Sequence, residues 1–210
     1  MARQTREERE QEVRAQYEAV TDRLFSDKSA LKAYLSFSGR HYKLPADHAM
    51  MVFHANPNAD MVTDYDTWQR LGRQVERGQR SIAAFENGKL RHYFDISQTK
   101  GREIQPRWRF DSKLAAQYVE AYSTQAGLKF STLTDCIDAL TDEHTASAAQ
   151  AAAKEFGISP EQERNFVKSV TMMARAVVAA RCGYQSGFKY RSADLIDKYP
   201  WAMDMLQDKA

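Results

Sequence analysis

Asn87-Gly88 constrains this chain more than any other pair of residues. It is the preferred dipeptide of a two-residue type I′ turn, and apolar or β-prone residues flank it on both sides. A two-residue loop dictates its own register. Glu86 falls opposite Lys89, Ala84 opposite Arg91, Ile82 opposite Tyr93, and Arg80 opposite Asp95. Opposite charges thus meet at both ends of one face. The other face carries Ala83, Phe85, Leu90, Phe94 and Ile96, with His92 among them, and is the expected core face. A slip of one residue would exchange the faces.

The segment before the hairpin predicts a helix from Asp66 to Arg77, with Asp66 as N-cap and Gly78 as terminator. Trp68, Leu71 and Val75 share one side of that helix, directed at the hairpin. At about 100° per residue, Arg70, Arg73 and Arg77 take the opposite side. Trp68 to Phe110 holds ten Lys/Arg against four Asp/Glu, whereas the whole chain has a formal net charge of only +2. This region, not the protein at large, is electropositive. After the hairpin, Lys100-Gly101-Arg102 opens a basic segment that ends in Arg107-Trp108-Arg109-Phe110. Cations alternating with aromatics can hold a phosphate backbone and stack a base. They can equally form a loop whose rings plug the edge of a core.

Around this centre the chain reads as α+β: a small antiparallel hairpin or sheet packed with helices, then an all-helical C-terminal half. The divisions expected are an N-terminal helix over 1–30, an α+β module over 31–110 and a helical region over 111–210. Val13, Tyr17, Val20 and Leu24 form one apolar stripe. A helix follows Ser29, its expected N-cap, another runs from Ala46 to Ala55, and residues 60–64 are a short strand. Beyond Asp111, helices are expected at 112–126, 132–140, 143–156, 160–182 and 192–208. Ser159-Pro160 starts the fourth, and Phe166, Val170, Met173, Val177 and Val178 are its expected buried stripe.

Chemistry-bearing motifs are sparse. No phosphate-binding Gly-rich loop, H-E-x-x-H, C-x-x-C or G-x-S-x-G can be read. His48 and His54 are six apart, off a common helical face, and no third ligand stands at metal spacing. Cys136 and Cys182 read as small core residues of a reducing compartment. The sequence calls for no cofactor and no metal, and no apolar run is long enough to span a bilayer. A cytoplasmic protein is expected.

A further set of residues occurs in a characteristic order. It comprises Phe37 to Lys43 (FSGRHYK), Asn56-Pro57-Asn58-Ala59, Trp68, Gly72-Arg73 with Val75, Gly78, Ser81-Ile82-Ala83, and Tyr93 to Ser97 with Thr99. This order resembles the N-terminal region of large polyvalent proteins of conjugative elements and phages, many of which carry a helicase or DNA methyltransferase further along. It is more distantly similar to the N-terminal domain of ArdC-type antirestriction proteins. Ser169 to Met173 and Arg181 to Tyr184 extend the likeness into the second half. Two places depart from the pattern: Met50 to Ala55 lacks the usual Gln, and Arg80-Ser81 stands where Lys-Gly is usual.

The resemblance implies a non-catalytic, single-stranded-DNA-binding accessory protein of a mobile genetic element, acting in transfer or in evasion of host defence. The residues expected to bind are Arg70, Arg73, Arg77, Lys100, Arg102, Arg107, Trp108 and Arg109. The alternative is a protein-interaction module that meets an acidic host protein through the same basic surface.

Overall fold

The structure, a computed structural model, describes residues 5–104 and 110–183. Its architecture is α+β. The chain divides into two compact units, of which 5–104 and 110–183 are the described parts. Arg107, Trp108, Arg109 and the helix expected at 192–208 lie outside the described residues. Among the described residues no helix is long and apolar enough to cross a membrane.

The first unit begins with three helices: α1 (Arg6–Ser26), α2 (Lys28–Arg40) and α3 (Ala46–Ala55). A capping box between Thr5 and Glu8 starts α1. Asp27, not Ser29, caps α2, accepting the Ser29 amide at 2.8 Å. Five short strands follow, with one short helix among them: β1 (Val62–Asp64), α4 (Tyr65–Arg70), β2 (Arg73–Val75), β3 (Ile82–Glu86), β4 (Lys89–Asp95) and β5 (Thr99–Gly101). A 3-10 turn at Ile96–Gln98 joins β4 to β5.

The hairpin forms in the expected register from Ile82↔Tyr93 to Glu86↔Lys89, with Asn87 and Gly88 both at positive φ, as a type I′ turn demands. The ladder stops there. Arg80 precedes β3 and does not face Asp95, which instead pairs with Val62 of β1 on the far side of β4. The sheet order is β1-β4-β3. Both of its faces bury side chains, which corrects the one-faced expectation. Phe85 and Ala83 are buried, but so are Ala84 and Tyr93 opposite, while His92 is exposed. Helices supply partners for both: Tyr17 of α1 approaches the Phe85 ring at 6.3 Å, and His48 of α3 bonds Tyr93.

The core of this unit combines Val13, Tyr17, Val20 and Leu24 of α1 with Met50 and Met51 of α3 and the buried residues of β3 and β4. Burial of about ten such side chains, at about 1.5–3 kcal/mol each, is the main force holding α1 to the sheet. His48 sits inside, its Nδ1 2.7 Å from the Tyr93 hydroxyl and its Nε2 2.8 Å from the Phe85 carbonyl oxygen. Both ring nitrogens are thereby occupied, and no group of three potential metal ligands occurs among the described residues.

The second unit is helical: α5 (Ala115–Ala126), α6 (Leu133–Glu155) and α7 (Pro160–Arg181). The two helices expected at 132–140 and 143–156 are one. Thr141 and Thr145 within it donate their hydroxyls to carbonyls four residues back, so these β-branched polar residues are satisfied inside the helix. The buried stripe of α7 also differs from expectation. Phe166, Ser169, Ala176 and Ala179 are buried and Val178 is exposed. Small residues on this stripe and at Ala149 and Ala153 of α6 let the two backbones approach closely. Arg175 ties the helices together by a two-pronged bond to Asp142. Cys136 is buried as expected, whereas Cys182 is half-buried.

Candidate nucleic-acid interface

The expected helix over Asp66–Arg77 ends after Arg70. Asp64 caps it, accepting the Thr67 amide at 2.8 Å, and Gly72 at φ +76° turns the chain out. Residues 73–75 then become β2, antiparallel to β5, with Arg73 opposite Gly101, Gln74 opposite Lys100 and Val75 opposite Thr99. The local pattern of three- and four-residue spacings is thus overridden by a pairing between segments 26 residues apart. Trp68 keeps its expected role. It is fully buried, and its indole N–H donates to the Phe94 carbonyl at 2.9 Å.

Gly101 makes the close pairing possible. A Cβ there would lie 2.4 Å from the Gly72 carbonyl oxygen, and its φ of +135° is one that side chains rarely adopt. The same Gly72 oxygen accepts the Arg102 amide at 3.1 Å. Two glycines thus bring β2 and β5 together at the point where the expected cations cluster.

The single arginine face does not exist. Arg70 lies at the end of α4, exposed, with one guanidinium nitrogen on the Thr67 hydroxyl. Arg77 lies in the turn after β2, also exposed. Arg73 lies between them on β2 and is spent on structure. Its guanidinium donates to the Thr99 hydroxyl, the Thr99 carbonyl and the Arg102 carbonyl at 2.7, 2.8 and 2.7 Å. Lys100 and Arg102 are exposed on and just after β5, and none of the four exposed cations has a carboxylate within ion-pair distance among the described residues.

Beside this strand pair is a cleft of about 430 Å³, lined by Gln69, Gly72, Arg73, Gln74, Lys100 and Gly101. Its charged lining is entirely cationic. It offers a phosphate group the Lys100 ammonium and polar amides, with Arg70 and Arg102 adjoining in sequence. Phosphate contacts of this kind position a strand without reading its sequence.

Tyr65 is a residue the sequence did not single out. Its ring is 45% exposed, braced edge-on against Phe94 at 6.5 Å, and its hydroxyl accepts a bond from Gln69 of the cleft lining at 3.2 Å. An exposed ring held still is a platform on which a base can stack. Comparison of the chain with protein-family models, with curated proteins and with solved structures gives no match.

Proposed function

We propose that the first unit binds nucleic acid, single strands in preference, as a non-catalytic accessory protein of a mobile genetic element. The observation that carries this reading is the cleft between α4 and the β2–β5 pair, with cations as its only charged lining residues and an exposed, braced tyrosine beside it. The cations supply sequence-independent attraction to phosphates. The ring supplies stacking, open only to unpaired bases. The ordered motifs of the resemblance support a role in transfer or in evasion of host defence.

Fluorescence anisotropy with labelled single- and double-stranded oligonucleotides at low and moderate salt tests it. Wild type binds the single strand more tightly. Lys100→Ala/Arg102→Ala weakens binding to all sequences alike and flattens the salt slope by about 0.7 per lost contact. Tyr65→Ala weakens single-strand binding without changing that slope. Absence of binding by folded protein at tens of micromolar, roughly where non-specific affinities lie, refutes the reading and leaves an acidic protein as the partner to be sought.

A further inference from the structure

A second cavity, of about 490 Å³, opens in the same unit where α1, the end of α3 and the entry to β3 converge. The volume lies within the range of small-ligand sites. Its lining is chemically divided. Met51, fully buried, and Ile82, half-buried, supply an apolar floor. Gln16 and Asn56 supply side-chain amides, and Arg9 and Arg80 supply guanidinium groups.

One carboxylate organises the polar part. Glu12 takes Arg9 at 2.5 Å on one oxygen, and Arg80 at 3.1 Å and Gln16 at 3.2 Å on the other. Arg9 and Arg80 come from segments 71 residues apart in sequence and converge on this one residue. Two guanidinium groups against one carboxylate leave one positive charge in excess. Each guanidinium has five N–H donors, and neither exhausts them on Glu12. The Gln16 side-chain oxygen and the Asn56 side-chain NH₂ have no protein partner among the described residues. The pocket therefore presents an apolar surface, a free acceptor, a free donor and a positive group.

We infer that this pocket binds a nucleotide, with its base on the Met51 and Ile82 floor and its phosphate at Arg9 and Arg80. A flat, largely apolar ring with a polar edge and an attached anion matches those three features together. An inorganic anion leaves the floor and the amides unused, and an uncharged ring leaves the arginines unused. The inference does not depend on strand binding at the β2–β5 cleft, because no residue lines both. The nucleotide can be free or can be the phosphorylated end of a strand, and both present the same chemistry.

Titration of ¹⁵N-labelled protein with adenosine 5′-monophosphate, adenosine and inorganic phosphate tests the inference. The monophosphate produces saturable shifts of the Asn56 and Ile82 amides below about 1 mM, and adenosine and phosphate each bind at least tenfold more weakly. Arg9→Gln/Arg80→Ala weakens the monophosphate at least tenfold. Arg80→Glu, at a side chain 76% exposed, does the same. Lys100→Ala/Arg102→Ala leaves it unchanged, even if that variant loses oligonucleotides. Competition by a 5′-phosphorylated oligonucleotide assigns the nucleotide to a strand end, and its absence assigns a free nucleotide. The inference is overturned if no saturable shift occurs at 10 mM, if phosphate alone binds as tightly as the nucleotide, or if the arginine variants bind unchanged.

Discussion

Arg73 and Thr99 are joined twice across the β2–β5 pair, Nε donating to the hydroxyl at 2.7 Å and Nη2 to the carbonyl oxygen at 2.8 Å. A third bond reaches the Arg102 carbonyl. This geometry uses the fork of a guanidinium and cannot be copied by an ammonium group. Arg73→Ala and Arg73→Lys should both destabilise the first unit, the alanine variant by roughly 2 kcal/mol for loss of charged hydrogen bonds. In a unit of this size that is a fall in melting temperature of about 8–16 °C. Thermal unfolding monitored through the buried Trp68 measures it. If Arg73→Ala melted like wild type while losing oligonucleotide binding, Arg73 would be a phosphate ligand.

Gly101 and Gly78 provide a matched pair. Both have positive φ, but a Cβ on Gly101 collides with the Gly72 backbone while one on Gly78 meets nothing within 4 Å. Gly78→Ala should cost only the conformational penalty, roughly 1–2 kcal/mol. Gly101→Ala must also push β2 from β5 and should cost more, with loss of amide-exchange protection at Glu76 and Arg102, whose N–H groups bond the Gln98 and Gly72 carbonyls across the pair. Equal melting temperatures for the two variants would count against the close approach.

These residues also show what a sequence can disclose. Asn87-Gly88 sets its register through local backbone geometry, so pairs from Ile82↔Tyr93 inward were legible. Trp68 was legible because it anchors a short-range apolar pattern. The end of α4 was not, since residues 66–77 carry a helical spacing and only the distant Gly101 reveals why Gly72 breaks it. The candidate site suffered accordingly. Lys100, Arg102, Arg70 and Arg77 are exposed as expected, whereas Arg73 is consumed by a partner strand that no local pattern announces. The Arg9–Glu12–Arg80 convergence is similarly non-local, and the turn register alone placed Arg80 in the hairpin opposite Asp95.

Arg80 and Asp95 therefore behave oppositely under mutation. Asp95 is buried and accepts the Asp60 amide at 3.0 Å, the Ser97 amide at 3.0 Å and the Ser97 hydroxyl at 2.5 Å. Asp95→Ala strands those donors and should cost roughly 3 kcal/mol or more. Arg80 makes an exposed ion pair with Glu12, and Arg80→Ala should cost less than about 1 kcal/mol. A double-mutant cycle over Arg80 and Asp95 in urea should give coupling near zero. Coupling above about 0.5 kcal/mol, beyond the usual additivity error, would restore the cross-strand pair expected from the turn.

His41 ends α2, buried, its ring stacked on Phe37 at 4.1 Å and its Nε2 2.9 Å from the Ala59 carbonyl oxygen. Desolvation pulls its pKa below 6.5, aided by Arg40 and opposed by the Ala59 bond, Asp95 and Asp60. His92, although exposed, moves the same way, through partial desolvation of its ring and then Arg9. The unfolded chain protonates both rings at about 6.5, so below that pH it binds more protons than the folded one. Stability is then unaffected by these groups above about pH 7.5, falls as the pH drops through 6.5, and levels off below the folded pKa values. Carboxylates titrate lower, near pH 4, so the interval from 7.5 to 5.5 isolates the histidines. His41→Gln/His92→Gln removes both titrations. Its urea midpoint should start lower at pH 7.5, through lost packing on Phe37, and then decline less between pH 7.5 and 5.5 than that of wild type. Parallel declines for the two proteins would show that neither imidazole resists protonation in the folded state.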